Sequence, residues 1–331
     1  MRIPSPSDVL IVGANPFSLA FATILGNGGL NVLVVDESLE LKTSAQELSL
    51  STDILALLKN QGYKFSAAIT ANEVLTQSLS LLAQNLCCVV WNTSFYGGGA
   101  GKYTLMNDGK AQPHQSSYAF KEADLSISES DEASFRNILA LAWRLIGVVN
   151  HKLRPNIVHS FEKERQQIVD FFTPIEKKSF FKRLFTPPKQ ALTLSESAIN
   201  LHLSQQEDIK AGELLPNYPY YNEQEKREAT LSECCHYEQF SILIFGTLNP
   251  HFLFNVAKWL QFNFSIKLFY FPFTEKNESL FKNLNIAQSE KRTIVVRPDG
   301  FISLVNDTVD CDIIDNYLRN VLLMLPLAEN E

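Results

Sequence analysis

The chain has 331 residues, 45% of them hydrophobic, and a formal charge of −7. That much apolar material buries a sizeable core and excludes wholesale disorder, and the length suits two domains of ordinary size. The acidic balance argues against nucleic acid as the main partner, and the six histidines and five cysteines show no metal-ligand spacing, so no metal is expected.

In chain order, residues 8–12 (DVLIV) form an apolar, β-branched run, as a strand buried on both faces does. Gly13 follows, and then Phe17, Ala20, Phe21, Ile24 and Leu25 recur at helical spacing until Asn27-Gly28-Gly29 stops the helix. Asn31–Asp36 reads as a second buried strand, so the chain opens with a right-handed βαβ unit. Gly13 sits at the tight turn and Asp36 closes the second strand, where an acidic residue holds a ribose hydroxyl in dinucleotide sites. The G-x-G-x-x-G pattern itself is degraded to Gly13-Ala14-Asn15-Pro16-Phe17-Ser18. Asn15 brings a side chain to the place where a glycine lets pyrophosphate approach, while Ser18 is small enough for close helix–strand packing. The candidate nucleotide-binding residues are therefore Gly13, Asn15, Pro16, Ser18 and Asp36.

Further along, residues 70–85 predict a helix with Val74, Leu75, Leu79 and Leu82 on one face, and 86–91 a strand. Gly97-Gly98-Gly99-Ala100-Gly101 lacks the Lys-Ser/Thr tail of a phosphate loop and reads as a linker. Asp108-Gly109 reads as a hairpin turn. A long helix around 135–149 has three carboxylates, Glu129, Asp131 and Glu132, crowding its start, which suits a well-capped, exposed helix. Residues 176–189 interleave Lys177, Lys178, Lys182, Arg183 and Lys189 with Phe180, Phe181, Leu184 and Phe185. Such a segment packs its aromatics on a domain with solvated lysines, or lies on an anionic membrane surface; the first is favoured. Strands are expected at 240–246, 265–271, 293–297 and 301–305, and helices at 250–262 and 312–325. Cys87, Cys88, Cys234, Cys235 and Cys311 form two vicinal pairs plus one, read as buried thiols of a reducing compartment. No apolar run approaches membrane-spanning length, and the expected location is the cytosol.

Three stretches resemble one family. DVLIVGANPFSLAFATILGNGGLNVLVVDES, with Pro16 as a family feature, looks like the N-terminus of the FAD-dependent aromatic-ring monooxygenases of phenol-hydroxylase type, and 44–62 looks like their next segment. Leu141-Ala142-Trp143-Arg144-Leu145, Pro155 and Ser160-Phe161-Glu162-Lys163-Glu164-Arg165 follow the family's order and spacing. IKAGELLPN (209–217), FSILIFG (240–246) and TIVVRPDGFISL (293–304) resemble its thioredoxin-like C-terminal domain. The resemblance implies an α/β fold: a truncated Rossmann-like FAD/NAD(P)-binding domain over 1–172, a connector over 173–210, and a thioredoxin-like domain over 211–331. It also implies FAD as cofactor, NAD(P)H where catalysis survives, an aromatic small-molecule substrate, and a homodimer formed through the C-terminal domain.

The departures bear on catalysis. The family's middle section is short here, no G-D-A-A-H counterpart to its FAD-contacting G-D motif is found, and the glycine-rich entry to the long helix is replaced by Ser and Glu. Carboxylates at that helix start would repel an anionic reduced flavin. After FSILIFG comes Thr247-Leu248-Asn249-Pro250-His251 with no Cys-x-x-Cys, so thiol–disulfide chemistry is not expected. No catalytic residue can be nominated. The reading is a degenerate FAD-dependent aromatic-ring hydroxylase relative, with catalysis left open between an NAD(P)H-using monooxygenase and nucleotide binding alone, and its loss favoured. The alternatives are a non-catalytic interaction protein on the same scaffold, and a peripheral membrane module acting through 176–189.

Overall fold

The computed structural model describes residues 3–41, 43–65, 68–85, 87–127, 130–173, 191–237 and 239–327. The basic-aromatic segment 176–189 lies outside them, as does Glu129. The chain divides into two compact units, the first built on residues up to Asn150 and the second on His151–Phe171 with the described residues from 191 onward.

The first unit opens with the expected βαβ: β1 (Ser7–Val12), α1 (Pro16–Asn27) and β2 (Val32–Val35). Helices α2 (Thr52–Asn60) and α3 (Ala71–Leu82) lead to β3 (Cys87–Val90), and a meander follows of β4 (Thr93–Gly99), β5 (Lys102–Asn107) and β6 (Lys110–Lys121). The sheet order is β3-β2-β1-β6-β5-β4. β1 pairs in parallel with β2 and with β6, and β4, β5 and β6 pair antiparallel. α1 is buried from Ser18 to Gly26 because it is apolar or small on every side, which only an inner helix tolerates.

Two expectations change here. The glycine tract is not a linker: Gly97–Gly99 form the end of β4 and turn into β5, where a Cβ on Gly98 would collide with the backbone of Lys102 and Tyr103. A glycine tract carries no apolar periodicity, so its strand character was invisible locally. The long helix α5 (Asp131–Val149) is capped, with Ser130 Oγ accepting from the Ala133 N–H, but it is not exposed. It is buried from Ala133 to Leu145, including Arg144, whose guanidinium lies 4.2 Å from the Trp143 ring centroid. The Asp108-Gly109 turn is the predicted hairpin, both residues having positive φ as a two-residue turn requires.

In the second unit, α6 (Ser160–Phe172), expected with the first domain, clusters with the C-terminal sheet. That sheet has the order β11-β10-β12-β13-β7, from β7 (Leu201–His202), β10 (Ser241–Phe245), β11 (Lys267–Phe271), β12 (Arg292–Val296) and β13 (Ile302–Asn306). A separate hairpin joins β8 (Pro219–Asn222) to β9 (Arg227–Thr230). Helix α7 (Pro250–Phe264) crosses from β10 to the parallel β11, and α8 (Glu278–Asn283) and α9 (Cys311–Asn316) complete the unit. The expected C-terminal helix begins as α9 and continues without a break through a wider π turn over Tyr317–Val321, ending four residues short of the expected 325. The five cysteines are free thiols; Cys234 is buried and the other four are half-buried. Among the described residues no helix is long and apolar enough to cross a membrane.

Two segments of the resemblance, SFEKER and RPDG, meet inside this unit. Arg297 and Gly300 close the β12–β13 turn through backbone bonds, and the Arg297 side chain points inward. Its Nη1 and Nη2 donate to the two oxygens of Glu164 at 2.7 and 3.0 Å, and its Nε donates to Asp299 at 2.9 Å. Ser197 Oγ also donates to Glu164. Arg297 and Glu164 are fully buried, so the cluster is a dry, satisfied ion pair of the kind that fixes one tertiary arrangement.

Candidate functional site

The site lies where β1 ends. Gly13 has φ +102°, a conformation that suits glycine, and turns the chain from β1 into α1. Pro16 takes the first helical position, where its fixed φ helps and its missing N–H costs nothing. Asn15 is the N-cap, its Oδ1 accepting from the Ser18 N–H at 2.7 Å. Asp36, one residue past β2, accepts from the Ala14 N–H at 2.7 Å and from the Ser38 N–H at 2.7 Å. The turn therefore brings Gly13, Asn15, Pro16 and Asp36 together.

Ser18 is different. It is fully buried, its N–H belongs to Asn15, and its Oγ has no hydrogen-bond partner among the described residues, so it serves the packing of α1. The N–H groups of Asn15 and Phe17 donate to no protein partner among the described residues. Two open donors at the positive end of a twelve-residue helix, with a carboxylate at the neighbouring strand end, are of the chemical kinds that a phosphate and a ribose hydroxyl could meet.

One residue at this site was missed from sequence. β6 lies beside β1 and brings its last residue, Lys121, level with Val12, so Glu122 arrives at the turn as the first residue of α4 (Glu122–Leu125). A Cβ on Gly13 would come 2.9 Å from Glu122 Cβ and 2.8 Å from its Oε2. Gly13 is thus required by the approach of Glu122 as well as by its own φ. Lys121-Glu122-Ala123-Asp124-Leu125 runs from the end of β6 into α4 and carries a carboxylate to the turn. The strand-like run ending at Lys121 was the available signal, and its neighbour in the sheet was not readable locally.

The residues fit the adenosine diphosphate half of a dinucleotide better than a reduced flavin ring. At the diphosphate seat, Asn15 Oδ1 and the Glu122 carboxylate add electronegative oxygens, which weakens an anion site without filling its open donors. At the start of α5 the fit is poorer. Ser130 already caps the helix, and Glu132 pairs with Arg136 at 2.8 Å. Arg136, nearly buried, also binds Asp53 at 2.9 Å and Ser51 Oγ at 3.2 Å. Burial would raise the Asp53 carboxyl, but Arg136 and Ser51 bring it net below its ordinary value, whereas burial leaves Asp131 raised despite a bond from the Ser49 backbone. This end of α5 is committed to tying α2 and α5 together.

A family description, the C-terminal dimerisation domain of phenol hydroxylase, matches residues 263–325. No curated protein matches. Among solved structures, the chain is similar to aklavinone-11 hydroxylase in a ternary complex with FAD and aklavinone, at TM-score 0.74 and 10% identity, covering 97% of this chain and 100% of that one. It is similar to the flavin-dependent monooxygenase PieE in complex with FAD and substrate, at TM-score 0.70 and 9% identity, covering 97% and 100%. The anhydrotetracycline hydroxylase OxyS from Streptomyces rimosus aligns at TM-score 0.63 and 12% identity, covering 96% and 99%. The chain has the fold of these solved flavin-dependent hydroxylases, and its residues 263–325 match the phenol hydroxylase C-terminal dimerisation domain.

Proposed function

We propose that this chain is a flavoprotein-hydroxylase-type protein that binds FAD through its adenosine diphosphate half at the Gly13 turn, does not hydroxylate, and forms a homodimer through its C-terminal domain. The observation that carries this reading is the turn itself: Asp36 locked on the Ala14 N–H, beside open N–H groups on Asn15 and Phe17. The FAD complexes among its structural neighbours support the choice of nucleotide. Asp36 would take the ribose and the α1 N-terminus the diphosphate. FAD, when bound, supplies electron transfer and oxygen activation; this chain offers no residue assigned to acid–base work and a carboxylate-lined α5 start in place of an anion-stabilising one.

The second reading, a scaffold that binds no nucleotide, is favoured by Glu122 and Asn15 alone. One titration separates the two. FAD and ADP are added to the purified protein and followed by flavin fluorescence and calorimetry, with Asp36→Asn as control. Binding of both, weakened about tenfold in the variant, is expected from the loss of a charge-assisted bond. Absence of binding by either nucleotide removes the proposal in favour of the scaffold. Steady NADPH consumption with a phenol would show that catalysis survives.

A further inference from the structure

The first turns of α1 and α5 lie close together. The Phe17 and Phe135 rings meet edge to face, their centroids 5.4 Å apart. The short α4, whose Glu122 stands over Gly13, is tied to α5 as well. Asn137 Nδ2 donates to the Asp124 and Leu125 carbonyls at 3.1 and 2.9 Å, and the Ile127 N–H donates to Ser134 Oγ at 2.8 Å. The start of α5 is therefore a neighbouring surface for whatever a nucleotide at the Gly13 turn carries beyond its diphosphate.

That surface is closed by the chain itself. Residues 49–53, which lead into α2, are strapped to it. The Asp131 carboxylate accepts a bond from the Ser49 backbone. Arg136 Nη2 donates to Ser51 Oγ at 3.2 Å and to Asp53 at 2.9 Å, and pairs with Glu132 at 2.8 Å. Ser130 Oγ takes the Ala133 N–H at 3.3 Å, a donor that the helix start would otherwise offer to an anion. The strap is fastened upstream too, the Leu48 N–H donating to the Ile69 carbonyl at 2.8 Å and Glu47 bridging to Thr70. Opening it breaks charge-assisted bonds on a guanidinium that is only 5% exposed. Charge acts in the same direction: the first turns of α4 and α5 carry Glu122, Asp124, Asp131 and Glu132, which disfavours a further anionic group beside the diphosphate.

We propose that the Gly13 turn is a site for the adenosine diphosphate moiety as such, and that the strapped start of α5 leaves the other half of a dinucleotide in solvent. This rests on the nucleotide reading above and narrows its ligand class: ADP and molecules that carry it, whatever their other end. The test uses the full chain. ADP and FAD are titrated by calorimetry, and the ring fluorescence of bound FAD is quenched with acrylamide, a neutral quencher that the local carboxylates do not repel. FAD is expected to bind no more than about threefold more tightly than ADP, because its flavin half gains no contact. The quenching rate constant of the bound ring should lie close to that of free FMN, whose ring is in water. A larger preference for FAD, or a bound ring shielded from acrylamide, overturns this inference and leaves the nucleotide reading standing. Binding of neither ADP nor FAD overturns both.

Discussion

The Gly13 turn and the Glu164–Arg297 cluster both fall on segments that resemble the same family, yet their polar groups are used in opposite ways. In the second unit every charge of the cluster is answered inside the protein: Arg297 by two carboxylates, and Glu164 by Arg297 and Ser197. At the turn the accounts are left open, with donors on Asn15 and Phe17 unanswered among the described residues and oxygens of Asn15, Asp36 and Glu122 gathered around them. The closed cluster fixes one arrangement of the unit, whereas the open one has donors left for a ligand on the reading proposed above. Similar sequence motifs can thus persist for different physical reasons.

The comparison is broken most severely by removing the arginine. Arg297→Ala leaves two buried carboxylates unpaired and is expected to cost about 3–5 kcal/mol, read as a lower midpoint of urea unfolding for the second unit. At the turn, Gly13→Ala is expected to destabilise by about 1–3 kcal/mol, through a strained φ and the contact with Glu122. Adding Glu122→Gly, which removes both Oε2 and Cβ from reach, should recover the part due to contact and leave the part due to φ; full recovery would show that the φ carries no cost. Asn15→Ala sharpens the contrast, because its two effects have opposite signs. Loss of the cap should lower stability by about 1 kcal/mol, while release of the Ser18 N–H should tighten FAD binding several-fold; a parallel loss of both would mark Asn15 as a ligand of the nucleotide.

The smallest effect is a pH dependence at the far end of β1. His114 is buried with its Nε2 2.9 Å from Ser7 Oγ, and burial holds its pKa below the ordinary value. The unfolded chain then takes the proton first. The stability from His114 is intact above the unfolded value of about 6.5 and is lost as pH falls below it toward the folded value. Thermal midpoints measured from neutral to mildly acidic pH should decline, and decline less in His114→Asn; equal slopes would show that other groups govern the decline.

Much of the scaffold was legible in the residues. The run DVLIV, the helical spacing from Phe17 to Leu25, Asp108-Gly109, and the four C-terminal strands declared themselves because each depends on local periodicity or on a turn's own φ values. Glu122 was not legible, because its place at the Gly13 turn follows from β6 lying beside β1, a pairing between residues more than a hundred positions apart. Nor was the burial of α5, whose acidic first turn suggested solvent while the rest of the helix is enclosed.

The sequence by itself determined the βαβ opening, the glycine at the tight turn, the acidic residue closing β2 and the absence of a Cys-x-x-Cys. These rest on side-chain chemistry and spacing within a few turns of chain. The tertiary structure alone decided that Glu122 stands over Gly13, that Glu164 meets Arg297, and that β11 lies outermost in its sheet. Each is set by strand order and burial, and strand order depends on the long-range packing of the whole sheet and not on the local preference of any segment.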